Sequence, residues 1–478
     1  MDRRKRKILW KWLLGVGLLV LTVEVIAIAY GIFGTHSNEK SEGSSIGSLA
    51  EAHTNGGQNT SVDIDDNSSV NPINDTEGED IGTQATDGYT TDNGNKEDTQ
   101  DLENTNFQNI AEEGDTTDKG SDLQTVEVSS LKNNTNEKVH DILEDMTLYE
   151  KVCQMYIVFP EAITNVENVI SAGKKTKSAL KQYPVGGFIY MADNLKNEKQ
   201  VTDMIKGVQS YAKIPMFIAC DEEGGRVARV MKTLKSYSMN PMMTYKDKGL
   251  KIAYKNARTI ASAIKKYGFN TDFAPVADVW SNPSNTVIGD RAYSDNYKQA
   301  AKLLPGAVKG FRKESVVCSL KHFPGHGDTS TDSHYGSAYV TKSLKELRKE
   351  EFLPFKAGID AGADMVMVGH LIVSDVDTVP ATFSHYLITD ILRGELGFDG
   401  VVITDALNMQ AMTDHYGNSY TTVQAVKAGV DILLCPADID QSIKALIKAV
   451  EKGEISEDRI DESVTRILKL KIEKGIIE

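Results

Sequence analysis

The chain has 478 residues and a formal charge of −15, of which +4 falls on residues 1–35, −18 on residues 36–133 and −1 on the remainder. The length allows several domains or one large barrel with extensions, while a near-neutral remainder without a basic stripe leaves no footprint for nucleic acid. Four cysteines with no CxxC pair and no Cys/His cluster exclude a zinc finger and a disulfide scaffold.

The first element in chain order is a membrane address. Arg3, Arg4, Lys5, Arg6 and Lys7 precede a mostly apolar run from Ile8 to Phe33, interrupted by Lys11 and Glu24 and long enough to span a bilayer. A cleaved signal peptide would have a shorter apolar part followed by small residues. No lipobox cysteine follows, so the pattern predicts an uncleaved anchor over residues 1–35, with the basic cluster cytoplasmic and everything after Thr35 outside the cell membrane. From His36 to Asn133 the sequence is Ser, Thr, Asn, Gly, Asp and Glu with hardly an aromatic. Such a segment cannot offset its ordering entropy, which predicts an acidic, disordered linker.

A folded domain is predicted over residues 134–478. Thr147 with Glu150 three residues on reads as a capping box. Apolar runs that read as buried strands follow at Met155–Phe159, Gly186–Tyr190, Met216–Cys220, Thr271–Ala274, Val316–Leu320, Met365–Val368, Val401–Ile403 and Ile432–Leu434. Helical stretches lie between them, among them Gly249–Tyr267 and Lys345–Ala361, and a last amphipathic helix is expected over Ile455–Ile477. Cys153, Cys220, Cys318 and Cys435 fall in apolar segments and read as core thiols. Strands alternating with helices predict an α/β fold, a single (β/α)8 barrel of the TIM type. An open doubly wound sheet is the competing architecture, but no glycine fingerprint marks a first strand-helix turn. Asp221 and Glu222 follow the third strand, Asp278 the fourth, Lys321 and His322 the fifth, His370 the sixth and Asp405 the seventh. In a barrel these positions share one mouth.

Asp405 ends a rigid strand, where a carboxylate can serve as nucleophile or electrostatic stabiliser, or simply cap the next helix. Asp332 and His334 lie two apart in the loop from Lys321 to Tyr335, KHFPGHGDTSTDSHY. A carboxylate beside an imidazole fixes its tautomer and raises its basicity. Metal binding by His322, His326 and His334 is the alternative use of that loop, though no HExxH pattern supports it. In DEEGGRVAR, acid groups directly after a strand could grip a polyol and the arginines beyond the flexible turn an anion or carbonyl, or the segment is a surface ion-pair loop. Arg291 is a binding arginine or a partner of Asp290.

The strings DEEGGRVARV, APVADV, IGDRAYSDN, KHFPGHGDTSTDSHYG and ITDALNM resemble, in order and spacing, those of glycoside hydrolase family 3, and most closely its NagZ-type β-N-acetylglucosaminidase branch. The resemblance runs from about Asp141 to the C-terminus. It implies an exo-acting, retaining enzyme that removes terminal β-linked GlcNAc from peptidoglycan fragments or related glycans. By the same resemblance Asp405 is the nucleophile, His334 the general acid/base and Asp332 its partner, while Asp221, Arg229, Arg291, Lys321 and His322 bind the sugar. No metal or organic cofactor is implied. The partners expected are a carbohydrate substrate and, through the N-terminal helix, the membrane. A phosphorylase using the same residues and an inactive wall-binding module are the rival readings. The sequence departs from many relatives in its acidic tether and anchor, in the lack of a C-terminal domain that some carry, and in Ala406 and Asn408 after the nucleophile position.

Overall fold

The structure, a computed structural model, describes residues 134–329 and 338–478. The expected anchor and linker lie outside the described residues. Among the described residues no helix is long and apolar enough to cross a membrane.

Eight strands are laid down in chain order: β1 Tyr156–Val158, β2 Gly187–Ile189, β3 Phe217–Cys220, β4 Thr271–Asp272, β5 Val317–Phe323, β6 Met365–Val368, β7 Val401–Thr404 and β8 Leu433–Leu434. All pair in parallel, in the order β7-β6-β5-β4-β3-β2-β1-β8. A parallel bridge between Ile403 and Ile432 brings the two edge strands together, so the sheet is a nearly closed barrel. Every residue of the eight strands is buried. That explains why the strands read as unbroken apolar runs: a parallel strand between a filled interior and a helical coat has no solvent face.

The coat is formed by α1 Lys174–Gln182, α2 Glu198–Tyr211, α3 Leu250–Lys265, α4 Tyr297–Lys313, α5 Phe352–Asp360, α6 Tyr386–Glu395, α7 Asn418–Ala428 and α8 Ile439–Glu451, one after each strand, and by a closing α9, Glu457–Glu473. Asn197, Asn296, Asp438 and Ser456 cap α2, α4, α8 and α9 through side-chain oxygens. The expected capping box is present: Thr147 and Glu150 bond reciprocally at the start of the helix Leu148–Gln154. All four cysteines are free and buried, as core thiols should be. Helices α3 and α4 approach closely because Gly310 faces α3, where an added Cβ would lie 2.6 Å from the Tyr254 carbonyl.

Four features differ from the sequence expectations. Strand β5 continues through Lys321, His322 and Phe323, which read as the start of the loop. The stretch Lys345–Ala361 is two helices, Leu344–Lys349 and α5, separated at Glu350. Pro354 explains the break, since its ring would collide with the Glu350 carbonyl four residues back in a continuous helix. The segment after β3 is a hairpin, Glu222–Gly224 against Val227–Ala228, and its turn uses Gly224 and Gly225 at φ 86° and 58°, where a side chain would be strained. Finally, Ala338–Val340 and Leu371–Val373 form a small parallel pair beyond β5 and β6.

Candidate active site

A cavity of about 660 Å3 opens at the carboxyl ends of the strands. Six of the residues singled out in the sequence line it: Asp221, Arg229, Arg291, Lys321, His322 and Asp405. Asp332 and His334 lie outside the described residues.

Strand β5 contributes most directly. Lys321 is buried, and its Nζ sits 2.7 Å from Asp221 Oδ1 and 2.6 Å from Glu223 Oε1. Glu223 also accepts both arms of the Arg291 guanidinium, from Nε at 2.7 Å and from Nη2 at 2.8 Å. Arg291 is therefore no partner of Asp290, which pairs instead with Arg226. Burial on its own would raise Glu223 and lower Lys321, but the opposite charges 3 Å away outweigh it. Glu223 is held well below the usual carboxylate range and Lys321 above the usual lysine range, so both stay ionised.

His322 is fixed by Asp278, just past β4. The buried Asp278 carboxylate accepts from the His322 amide, the His326 amide at 2.7 Å and His322 Nδ1 at 2.7 Å. Burial would raise Asp278, yet the two histidines hold it below its ordinary value. An ionised acceptor places the proton on Nδ1 and leaves Nε2 of His322 for the cavity.

Asp405 follows β7 and is half-buried, with Oδ1 accepting the Ala406 amide at 2.8 Å. The next helix, Gln410–Thr413, has Met409 at its N-cap and no side-chain cap bond, so Asp405 does not cap it. Burial opposes its charge, but His322, His370, the Ala406 amide and Lys321 together hold the carboxyl below the usual aspartate value. His370 stands behind this wall, with Nε2 donating to the Ala406 carbonyl at 3.1 Å and Nδ1 2.8 Å from Thr382 Oγ1.

Three members of the expected ring do not line the cavity: Asp278 and His370 support its wall, and Glu222 faces elsewhere. Glu222 is fully buried and caps the helix Val230–Leu234 through the Val230 and Met231 amides. Burial pushes its carboxyl up to about 7, only partly offset by those amides. Two residues of that segment that the sequence did not single out take part: Glu223, between the two cations, and Arg226, whose Nη2 donates to the carbonyls of Thr286, Val287 and Ile288 and so clamps the loop that carries Arg291. Arg229 lines the cavity with its buried Nε unbonded. The arrangement offers an ionised carboxylate on the wall of a cavity lined by both acids and bases, which suits a polyhydroxylated ligand whose reacting carbon becomes electron-poor. Among the described residues no group of three or more His, Cys, Asp or Glu is placed to hold a metal ion.

Residues 147–470 match the family model described as glycosyl hydrolase family 3 N terminal domain. The chain is 36% identical over 322 residues to a protein named beta-hexosaminidase A from Pseudoalteromonas piscicida, a match covering 61% of this chain and 54% of that protein. It is 35% identical over 277 residues to a beta-hexosaminidase from Stenotrophomonas maltophilia (strain K279a), covering 56% of this chain and 81% of that one. Among solved structures, a glycoside hydrolase family 3 beta-N-acetylglucosaminidase from Paenibacillus sp. str. FPU-7 superposes with a TM-score of 0.66 at 37% identity, over 69% of this chain and 63% of the other. The chain thus spans little more than half of the first relative and most of the second.

Proposed function

This chain belongs to glycosyl hydrolase family 3, a family of glycosidases, and from that membership we propose that it is an exo-acting, retaining β-N-acetylglucosaminidase that removes terminal β-linked GlcNAc from peptidoglycan fragments or related glycans. The observation that carries the reading is Asp405: a carboxylate at the end of a barrel strand, on the cavity wall, kept ionised by His322, His370 and Lys321. In this mechanism Asp405 attacks the anomeric carbon and forms a glycosyl-enzyme, which water then opens. Asp221, Arg229, Arg291, Lys321 and His322 hold the sugar. His334 protonates the leaving oxygen and later takes a proton from water, with Asp332 orienting it. The beta-hexosaminidase names of the relatives support the sugar preference. An N-terminal anchor over residues 1–35 and an acidic linker over 36–133 would carry the barrel outside the cell membrane, within reach of wall glycans.

Leaving-group dependence tests the acid/base assignment. His334→Gly should lose roughly 10²–10⁴-fold on a poor leaving group and far less on an activated aryl β-GlcNAc, which departs with little protonation. Asp332→Ala should lose in the same direction, by no more than His334→Gly, and the double variant should be much less than additive. Equal losses on all substrates would contradict the dyad. Products formed with and without phosphate separate hydrolysis from phosphorolysis.

A further inference from the structure

The rim beside β6 and β7 carries an aromatic surface that the proposed chemistry leaves unused. Tyr416 and Tyr420 stack with centroids 6.0 Å apart and planes within 9°. Phe383 meets both edge-on, with centroids at 5.1 and 5.8 Å. Tyr420 remains 48% exposed, and Tyr339, 52% exposed, points outward from a strand whose neighbours Ala338 and Val340 face in.

Three links place this surface at the mouth of the cavity. Met409 lines the cavity; its carbonyl accepts the Met412 and Thr413 amides, and the Met412 carbonyl accepts the Tyr416 amide at 2.8 Å. That short coil leads from the cavity wall to the stack over about 10 Å at helical rise. Phe383 adjoins Thr382, which joins through His370 to Ala406 beside Asp405. The strand of Tyr339 pairs with Leu371–Val373, the residues directly after His370.

Exposed rings gathered at one place on a soluble surface mark a binding function, and tyrosine combines an apolar face with a polar tip. A pyranose is complementary: its axial C–H groups present an apolar face and its hydroxyls a polar edge. The distance from Met409 to the stack is comparable to the length of two linked rings. We propose that Tyr416, Tyr420 and Tyr339 form a stacking platform for the sugars on the leaving-group side of a β-linked glycan, which makes an oligosaccharide the preferred substrate. The proposal rests on the glycosidase reading above and deepens it.

The test compares chitotetraose with an aryl β-GlcNAc, whose leaving group is too short to reach the platform. For Tyr420→Ala and for Tyr339→Ala in the full chain, the ratio of kcat/KM on chitotetraose to that on the aryl glycoside should fall about tenfold, the size of one aromatic stacking contact. Tyr420→Phe keeps the ring and should keep the ratio. An unchanged ratio in both alanine variants overturns the platform. If the wild-type chain cleaves neither substrate, the glycosidase reading fails, and calorimetry with chitotetraose decides the platform separately. Binding weakened about tenfold in the alanine variants would then sustain it; binding equal to that of the wild type, or none by the wild type, would overturn it.

Discussion

Glu223 shares its carboxylate between Lys321 and Arg291 in a buried setting, so each cation depends on it for its place and its charge. Glu223→Gln keeps the shape and removes the charge, leaving two buried cations, of which Lys321 keeps Asp221 at 2.7 Å and Arg291 loses its carboxylate partner. Breaking a buried pair in this way costs about 3–5 kcal/mol. Urea denaturation should show that loss, and any folded fraction should bind substrate more weakly, with a raised KM; a variant with wild-type stability and KM would contradict this role. Asp221 and Lys321 were legible as candidates because charge directly after an apolar run is conspicuous, while Arg291 was singled out only by the resemblance that the string IGDRAYSDN carries. Glu223 was not, since three adjacent acids look alike in a sequence. The hairpin separates them: its alternation turns Asp221 and Glu223 toward the cavity and Glu222 into the protein.

The loop after β5 is held at its near end by contacts that a sequence pattern does not disclose. An added Cβ on Gly327 would lie 1.7 Å from the Val279 carbonyl, so the loop can run this close to the outflow of β4 only with glycine there. Asn285 donates to the His326 carbonyl, and Ser281 and Asn282 hold Asp328. Gly327→Ala should push the loop away from this seat and cost on the order of 10²-fold in kcat, the penalty of about 1 Å of misplacement, while the thermal midpoint changes little. Steady-state kinetics beside thermal denaturation would check it; full activity would show that the seat does not position the loop. At this scale seven of the eight strands were readable to within two residues, because burial on both faces leaves a continuous apolar signal, whereas the end of β5 was hidden because Lys321 and His322 are polar residues inside the strand. The break at Glu350 needed the steric reach of Pro354, and the pair Ala338–Val340 with Leu371–Val373 needed a tertiary partner for two short, ambiguous runs.

Across the whole barrel, polar groups divide between the mouth and the opposite end, and the two serve different ends. Lys471 on α9 is fully buried, with Gln154 Oε1 at 2.9 Å and the Phe217 ring at 5.0 Å as its partners. Burial lowers its pKa from 10.5 to about 7. Between these values the unfolded chain holds the proton and the folded chain does not, so this residue adds stability as pH rises through the window and withdraws it as pH falls toward 7. From pH 7.5 to 9 the stability of the wild type relative to Lys471→Met should improve by about 2 kcal/mol, read from urea midpoints. A constant difference would mean that Lys471 titrates normally. The comparison also removes the buried thiols of Cys220, Cys318 and Cys435, whose raised pKa values act the opposite way at higher pH. At the mouth, the alternate strands β3, β5 and β7 deliver Asp221, Lys321, His322 and Asp405 to one cavity, and the account stands or falls on what Asp405 does there. Mass spectrometry after incubation with a slow fluorinated β-GlcNAc derivative tests this most directly. The sugar should be covalently attached to the peptide containing Asp405, with the anomeric configuration of the released product retained; an adduct on another residue, or an inverted product, would contradict the account.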